Sequence, residues 1–436
     1  MYKEINKRIL WLAIPSIFAN IAIPLIGMTD LAIAGRLDDY LIIGGIAIGG
    51  MLFDLLYWNF GFLRLGTSGF TAQAYGRRDF RDAVKIFIEA SGAAIISAII
   101  ILILQYPLLK YSFYVIPCSP EVEVVAREYF LIRIWAAPAA MLLFVLRGWF
   151  IGMQNSINPM IIDLTVTGVN IGVTLLLVMN LKMGIFGLAL GTVIAQYTGL
   201  ITGFLLLIFC YSKLRRYLQW SYLFRFREMK NFFMVNGDIF IRSLGMLVIY
   251  NGFTILSTGY GDSALATNTI LLKIVMIYSF FLDGFAYAGE ALTGRCIGAK
   301  DALRLKISIR VLFGWAISVG VVSSLVYAVG YENIVRFISP NETVIALSRN
   351  FYWWILIMPI VSCVAFMWDG IYIGATASAP MRNIMIVSVA LAAASYYLFS
   401  NAFGIHAIWL AYLVHLVVRS VGQQFLARRH VYAKIY

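Results

Sequence analysis

The side chains best placed to do chemistry are carboxylates inside long apolar stretches of the sequence. Asp30 lies 22 positions after Arg8, which is roughly 33 Å along a helix. An ionisable side chain inside a membrane costs about 2.5–3.5 kcal/mol, so it needs a partner, a hydrated cavity or a function. Because burial disfavours the charged form of a carboxylate, Asp30 could take up and release a proton. The alternative is a structural carboxylate bound by hydroxyl groups.

Pro24 could couple a change of charge at Asp30 to the shape of the helix that carries both residues. It lies six positions before Asp30 and removes one backbone hydrogen bond from that helix. A helix weakened at this point can bend when the neighbouring acid changes charge. A static kink would have the same sequence signature.

Other acids in apolar stretches indicate possible substrate sites. Asp54 and Trp58 are one helical turn apart and share a face, so Asp54 could bind a cationic substrate or pair with Arg64. Asp283 and Glu290 are seven positions apart and also face one way, which suggests a second substrate or coupling site.

Two further sets of charged residues are interpreted as structural. Asp238 and Arg242 stand one helical turn apart, and this spacing predicts an internal ion pair. Arg147 and Asp369 lie beside glycine-containing segments and are predicted to hold the fold together.

The composition places the chain in a membrane. It has 436 residues, of which 61% are hydrophobic and 13% charged, whereas soluble domains are about 45–50% apolar and about 25% charged. The net charge of +13 is spread between apolar spans, so it indicates topology rather than nucleic-acid binding. Four scattered cysteines and three histidines show no metal-ligand spacing, and no cofactor or metal is expected.

The apolar stretches predict an all-α integral membrane protein with twelve transmembrane helices, because a span needs roughly 20 apolar residues. They lie at residues 9–35, 41–72, 84–109, 122–146, 159–181, 184–211, 232–257, 263–293, 305–330, 346–372, 383–401 and 404–427. Lysine and arginine are concentrated at both termini and in every second loop, so both termini are predicted to be cytoplasmic.

The two halves of the chain show an internal repeat. Residues 61–79 align without gaps to residues 283–301, so that Thr71 meets Thr293 and Asp79 meets Asp301 at an offset of 222. The same offset pairs Gly148 with Gly370 and Gly152 with Gly374, in the segments GWFIG and GIYIG. A repeat of six spans keeps its orientation, which predicts two six-helix lobes related by a pseudo-two-fold axis along the membrane normal.

The predicted lobes are residues 1–210 and 232–436. The basic, aromatic stretch at 211–231 joins them and is predicted to lie on the inner membrane surface, although it could instead sense anionic lipid.

Several segments of the sequence resemble the multidrug and toxic compound extrusion (MATE) family, and its DinF-like branch in particular. They are AIPLIGMTDLAIAGRLDD at 22–39, FLRLGTSGFTAQAYG at 62–76 and LDGFAYAGEALTG at 282–294. The resemblance implies cation-coupled export of amphipathic, often cationic, organic compounds by alternating access of two lobes. It also implies that Asp30 is the coupling carboxylate, with Asn170 and Thr192 as polar neighbours.

The sequence departs from the family at one coupling position. Many relatives carry a second carboxylate four residues after the asparagine of the fifth span, where this chain has Thr174. Asp163 lies seven residues before Asn170, roughly 10 Å along the helix, and is a poor substitute. One acid with neutral oxygens favours a proton over sodium as the coupling ion without excluding sodium.

The expected protein is therefore a proton-coupled exporter that acts as a monomer in the bacterial inner membrane. A sodium-coupled exporter of the same fold is one alternative. A flippase for lipids or lipid-linked precursors is another, but it would need a strongly cationic cavity, and the cations considered inside the spans, Arg64, Arg242 and Lys273, are few. An enzyme is disfavoured because no hydrolase or protease motif occurs.

Overall fold

The computed structural model describes residues 1–34, 40–116, 118–223, 230–339 and 341–435, and these residues are almost entirely helical. The prediction of an all-α fold is confirmed. The helices are α1 Tyr2–Ala34, α2 Tyr40–Phe60, α3 Phe62–Arg77, α4 Phe80–Ile103, α5 Gln105–Val115, α6 Pro120–Arg133, α7 Ala137–Gly152, α8 Ile157–Leu175, α9 Gly184–Cys210, α10 Lys230–Thr258, α11 Asp262–Gly298, α12 Ala302–Ile338, α13 Glu342–Ser348, α14 Tyr352–Gly374, α15 Ser378–Phe403 and α16 His406–His430.

Eleven helical stretches in the described parts of the chain are long and apolar enough to cross a membrane. The predicted twelfth span is also helical, as α16, but it is less apolar than the others. Its buried face carries His415, Arg419 and Gln423, which lower its hydropathy.

Four predicted spans are divided into two helices each, and in the span at residues 84–109 helices α4 and α5 meet at Leu104. Helices α2 and α3 meet at Gly61, and α6 and α7 are separated by a 3₁₀ turn at Ile134–Ala136. Pro138 lies in the first turn of α7, where its missing N–H leaves no helical acceptor unsatisfied, so the helix can restart there. Helices α13 and α14 divide the tenth span in the same way.

The chain folds into two compact units. The first unit contains residues 18–232, and the second contains residues 1–17 together with residues 233–436. The boundary lies within α1, whose first residues pack in the second unit: the indole N–H of Trp315 donates to Asn6 Oδ1 at 2.6 Å. The predicted lobes assigned all of α1 to the N-terminal half. Part of the predicted linker forms short 3₁₀ helices at Ser212–Tyr217 and Trp220–Tyr222, and residues 224–229 lie outside the described residues.

The repeat offset of 222 recurs in the packing of each unit. A Cβ atom on Gly148 would lie 2.3 Å from the carbonyl oxygen of Arg64, and one on Gly370 would lie 2.2 Å from that of Ala286. Both contacts require glycine because the two helix backbones touch there. Arg64 and Ala286 are themselves 222 positions apart, so each unit repeats the same helix crossing.

Helix starts repeat at the same offset. Asp79 caps α4 by accepting a hydrogen bond from the N–H of Asp82 at 3.0 Å, and Asp301 caps α12 by accepting one from Arg304 at 2.9 Å. The preceding residues, Arg78 and Lys300, both have positive φ angles, of 59° and 54°. The repeated sequence therefore encodes a repeated turn and cap.

Candidate functional site

A stripe of glycines on α2 positions the candidate site in the first unit. A Cβ atom on Gly45 would lie 2.2 Å from Val125, and one on Gly49 would lie 2.5 Å from the ring of Tyr129. Small residues four positions apart let helices approach closely. Helix α6 therefore lies directly against α2, with Tyr129 pressed onto its surface.

Tyr129 lies between the carboxyl group of Asp30 on α1 and the guanidinium of Arg133 on α6. Its hydroxyl oxygen accepts a hydrogen bond from Nη1 of Arg133 at 2.6 Å, and the same hydroxyl group interacts with the carboxyl group of Asp30. The guanidinium of Arg133 also lies over the ring of Phe53, 4.7 Å from its centroid. Acid, phenol and guanidinium thus form one connected chain between α1 and α6.

Asp30 is only partly satisfied in this arrangement. Its side chain is 3% exposed, and its Oδ1 atom is buried with no hydrogen-bond partner among the described residues. A buried acceptor without a donor costs about 1–3 kcal/mol, and more when it is charged. The site therefore favours a proton or another cation at this oxygen.

Asp54 is the exposed acid of the same cluster. Arg133 acts electrostatically on both Asp54 and Asp30, whereas Arg64, the partner proposed for Asp54 from the sequence, acts on Asp163. Trp58 lies one turn after Asp54 and is 44% exposed. The substrate role of Asp54 and Trp58 stays a prediction.

The other predicted coupling residues meet between α8 and α9. The amide Nδ2 of Asn170 donates to Oγ1 of Thr192 at 3.1 Å. Thr174 lies one turn after Asn170 and so close to α9 that a Cβ atom on Gly191 would be 2.3 Å from its hydroxyl oxygen. Asn170 Oδ1 and Thr174 Oγ1 are buried without a hydrogen-bond partner in the part of the chain that the structure describes.

These residues and Asp30 form two groups within one unit. No hydrogen bond among the described residues joins Asp30 to Asn170, although Thr167 Oγ1 on α8 contacts the carbonyl oxygen of Ala22 on α1 at 3.3 Å. Helix α8 ends in a π-helical segment at Leu176–Asn180, a feature that often occurs near functional sites. Helix α1 remains helical through Pro24, so bending at this residue stays a prediction.

A second buried acid organises the other unit. Asp369 forms ion pairs with Arg242 and Arg419 through Oδ2, and its Oδ1 accepts from Gln423 at 2.7 Å. His415 lies beside this group, with Nε2 at 3.3 Å from Nη1 of Arg419. The structural role predicted for Asp369 has a physical basis in these contacts.

The predicted ion pair between Asp238 and Arg242 is wrong. Asp238 pairs with Arg382 at 2.5 Å and accepts a hydrogen bond from Ser378 at 2.7 Å, while Arg242 reaches Asp369. Both partners lie more than 100 positions away in the sequence, so the local spacing concealed the tertiary contacts that satisfy each charge.

The remaining predicted substrate acids lie on α11 of the second unit. Glu290 is 1% exposed, whereas Asp283 is half-buried and acts electrostatically on Tyr250. Their substrate role stays a prediction. In the described residues, no group of three or more histidine, cysteine, aspartate or glutamate side chains could hold a metal ion.

Sequence reasoning overlooked Tyr129 and Arg133. Arg133 lies in the middle of the predicted span at residues 122–146 and is a charged residue without a local acidic partner, which was an available signal. Arg419 in the last span is another cation, and the count of Arg64, Arg242 and Lys273 omitted it. The spans therefore contain more cations than Arg64, Arg242 and Lys273. The small number of cations can no longer be used to exclude a flippase, and the partners of each cation have to decide.

Membrane-length helices in two repeat-related units, each with buried ionisable clusters, are typical of secondary transporters. The MatE family model matches residues 15–176 and 239–398, one stretch in each half of the sequence. The chain therefore belongs to the MATE family of multidrug efflux transporters, whose members are transporters rather than enzymes.

Curated relatives agree with this assignment. The chain is 33% identical to DNA damage-inducible protein F of Escherichia coli (strain K12) over 430 residues, which cover 98% of this chain and 93% of that protein. It is 21% identical to the multidrug export protein MepA of Staphylococcus haemolyticus over 352 residues, with coverage of 79% and 76%. The predicted resemblance to the DinF-like branch is confirmed.

Solved structures share the fold. A MATE transporter in the bent conformation superimposes with a TM-score of 0.88 at 16% identity, covering 99% of this chain and 96% of that one. A MOP superfamily transporter from Pyrococcus furiosus gives the same TM-score, identity and coverage. The predicted two-lobe membrane architecture is thereby confirmed.

Proposed function

We propose that this protein is a proton-coupled antiporter that exports amphipathic or cationic organic compounds by alternating access of its two lobes. Asp30 is the group that exchanges substrate for a proton. The observation that carries the proposal is that the buried carboxyl group of Asp30 has too few hydrogen-bond donors. Its Oδ1 atom has no donor among the described residues, and its other contact is the neutral hydroxyl group of Tyr129. A carboxyl group in that state gains from binding a proton or a cation.

The charge of the site supports exchange of one proton for one cation. With both acids ionised, Asp30, Asp54 and Arg133 together carry a net charge of −1. One bound monovalent cation neutralises the cluster, and a proton on Asp30 does the same, so the two compete. The membrane potential supplies about 2.3 kcal/mol per net charge per 100 mV, and a one-for-one exchange of monovalent cations therefore draws only on the proton gradient.

Asn170, Thr192 and Thr174 complete the coupling region with neutral oxygens. Asn170 and Thr174 each contribute a buried oxygen without a donor in the described residues. Because Thr174 stands where many relatives have a carboxylate, Asp30 is the single acid among the four coupling positions that the resemblance implies, and one acid with neutral oxygens favours a proton over Na⁺.

The proposed location is the bacterial inner membrane, with both termini in the cytoplasm and the protein acting as a monomer in lipid. The distribution of lysine and arginine supports this orientation, and the Escherichia coli relative supports a bacterial membrane.

Charge compensation favours an exporter over a lipid flippase. A flippase needs uncompensated positive charge to bind lipid phosphates. The arginines described above each interact with an acid, since Arg133 acts on Asp30 and Arg147 pairs with Asp163 at 2.6 Å. In the second unit, Asp369 compensates Arg242 and Arg419 directly.

Efflux from proteoliposomes tests the proposal. Wild-type protein is reconstituted with a fluorescent organic cation and challenged separately with a pH jump and a sodium jump. Asp30→Asn removes the exchangeable group, and Asp262→Asn is the matched control because Asp262 is exposed in the first turn of α11.

We expect the pH jump to drive efflux in the wild type and in Asp262→Asn. Efflux from liposomes that contain Asp30→Asn should not exceed the leak from loaded liposomes without protein. Efflux driven by sodium alone would contradict proton coupling. Normal proton-driven efflux in Asp30→Asn would contradict the assignment of Asp30.

A further inference from the structure

The side chains around Arg133 have the composition of a cation-binding site. Phe53 and Tyr57 on α2, Tyr129 on α6, and the acids Asp30 and Asp54 form what is here named the aromatic–acidic cluster. Aromatic faces combined with carboxylates bind organic ammonium and guanidinium groups. We propose that this cluster is a subsite for the cationic group of the substrate, and that the guanidinium of Arg133 occupies it when no substrate is bound. The inference rests on the proposed function and names the group that the site recognises.

The guanidinium lies where a ligand cation would lie. Its central carbon is 4.7 Å from the centroid of Phe53 and 5.4 Å from that of Tyr129. Both distances are within the range of about 6 Å over which an aromatic face attracts a cation. Phe53 is fully buried and stacks on Phe130 at 4.9 Å, so the aromatic face is fixed before any ligand arrives.

Arg133 is held less firmly than the arginines of the second unit. Arg242 and Arg419 form direct ion pairs with Asp369, whereas Arg133 reaches Asp30 through the hydroxyl group of Tyr129. Its Nε atom is buried without a hydrogen-bond partner in the described residues. A guanidinium bound to a neutral phenol and two ring faces can be displaced at lower cost than one paired with a carboxylate.

The cluster also offers contacts that Arg133 leaves unused. Asp30 Oδ1 and the hydroxyl group of Tyr57 are buried and have no hydrogen-bond partner among the residues described. Asp54 is exposed, which leaves one side of the cluster accessible. An incoming cationic group gains electrostatically from these oxygens as it replaces the guanidinium.

Arg133 then determines which substrate charge the site prefers. While the guanidinium lies among the two ionised acids, the three groups sum to −1, and a cationic substrate has to displace a like charge in order to enter the subsite. Without it, the sum is −2, which matches a dication. Arg133 is thus a specificity-determining residue, because its guanidinium competes with the substrate cation for the aromatic–acidic cluster.

Equilibrium binding to the purified full-length protein tests this inference, with tetraphenylphosphonium as the monovalent probe and dequalinium as the divalent probe. Arg133→Gln empties the subsite. Arg127→Gln is the matched control, because Arg127 lies on the same helix and pairs with Glu123 at the surface, at 2.9 Å.

We expect Arg133→Gln to bind tetraphenylphosphonium about tenfold more tightly, and dequalinium by a larger factor, because a like charge has left the site. Arg127→Gln should bind both as the wild type does. Unchanged or weaker binding of both probes by folded Arg133→Gln would overturn the proposal and leave Arg133 as a support for Tyr129.

A second variant keeps the test decisive if Arg133→Gln does not fold. Asp54→Asn brings the net charge of the cluster to zero, and we expect it to bind tetraphenylphosphonium about tenfold more weakly; unchanged affinity would overturn the proposal. Efflux separates this inference from the proposed function. A wild type that binds the probe but exports it under no gradient contradicts the function alone, whereas export with affinities unaltered by either variant contradicts the subsite alone.

Discussion

Asp30 and Asp369 are both buried aspartates inside helices, and the two units treat them in opposite ways. Asp369 contacts Arg242 and Arg419 directly. Asp30 contacts the neutral hydroxyl group of Tyr129 and keeps one oxygen without a donor in the described residues. The first arrangement fixes a charge and ties three helices together, whereas the second leaves a charge that can be exchanged. Burial is therefore common to both acids and the partners distinguish them, which is the basis for proposing Asp30 as the coupling residue.

The internal repeat places charged residues at equivalent positions in the two units. Positions 147 and 369 are related by the repeat offset of 222, and each carries a charged residue of opposite sign. Arg147 pairs with Asp163 at 2.6 Å in the first unit, and Asp369 pairs with arginines in the second. Both units thus place a buried ion pair beside the equivalent glycine contact. The Asp30 cluster belongs to the first unit in addition to this shared framework.

The largest expected effect on stability separates the two acids. Asp369→Asn leaves two arginines buried without a full counter-charge, which should lower the free energy of unfolding by about 3–5 kcal/mol. Asp30→Asn removes a charge that was poorly satisfied, so it should change stability by less than about 1 kcal/mol. Thermal and denaturant unfolding of both variants in detergent measures the difference. Equal destabilisation by the two substitutions would remove the distinction between a fixed and an exchangeable acid.

Part of this picture was accessible from the sequence because it depends on local patterns. The apolar stretches, the repeat offset and the glycine pairs predicted the helices and their lobe symmetry, and Asp30 was recognised as an acid deep within a predicted span. The partners of Asp30 and Asp369 were not accessible, since Arg133 lies about a hundred positions from Asp30 and Arg242 pairs across 127 positions. The inclusion of residues 1–17 in the second unit likewise depends on tertiary packing, which the helical pattern of α1 does not record.

The next effect tests whether the two units share one framework. Gly148→Ala and Gly370→Ala each place a Cβ atom within 2.3 Å of a backbone carbonyl oxygen, which forces two helices apart. We expect each to lower the free energy of unfolding by about 1–3 kcal/mol, and by similar amounts in the two units. Gly314→Ala is the control, because nothing lies within 4 Å of its position, and it should gain about 0.5–1 kcal/mol. A large effect at only one of the paired glycines would show that the repeat is not equivalent in packing.

The smallest effect concerns the corrected ion pair in the second unit. A double-mutant cycle between Asp238 and Arg382 should give a coupling free energy of about 1 kcal/mol, because the two side chains are in contact at 2.5 Å. The cycle between Asp238 and Arg242 should give a smaller coupling, of about 0.2–0.5 kcal/mol, because they are neighbours on one helix but pair with different partners. The reverse order of the two couplings would restore the pairing suggested by sequence spacing.

The central claim is that the carboxyl group of Asp30 gains and loses a proton as substrate leaves and binds. Infrared difference spectroscopy of the protein in lipid, compared between wild type and Asp30→Asn, observes that carboxyl group directly. We expect a protonated-carboxyl band that depends on Asp30, grows on acidification across the working pH range and is suppressed when an organic cation binds. A carboxylate that remains ionised throughout that range, with and without substrate, would contradict the account.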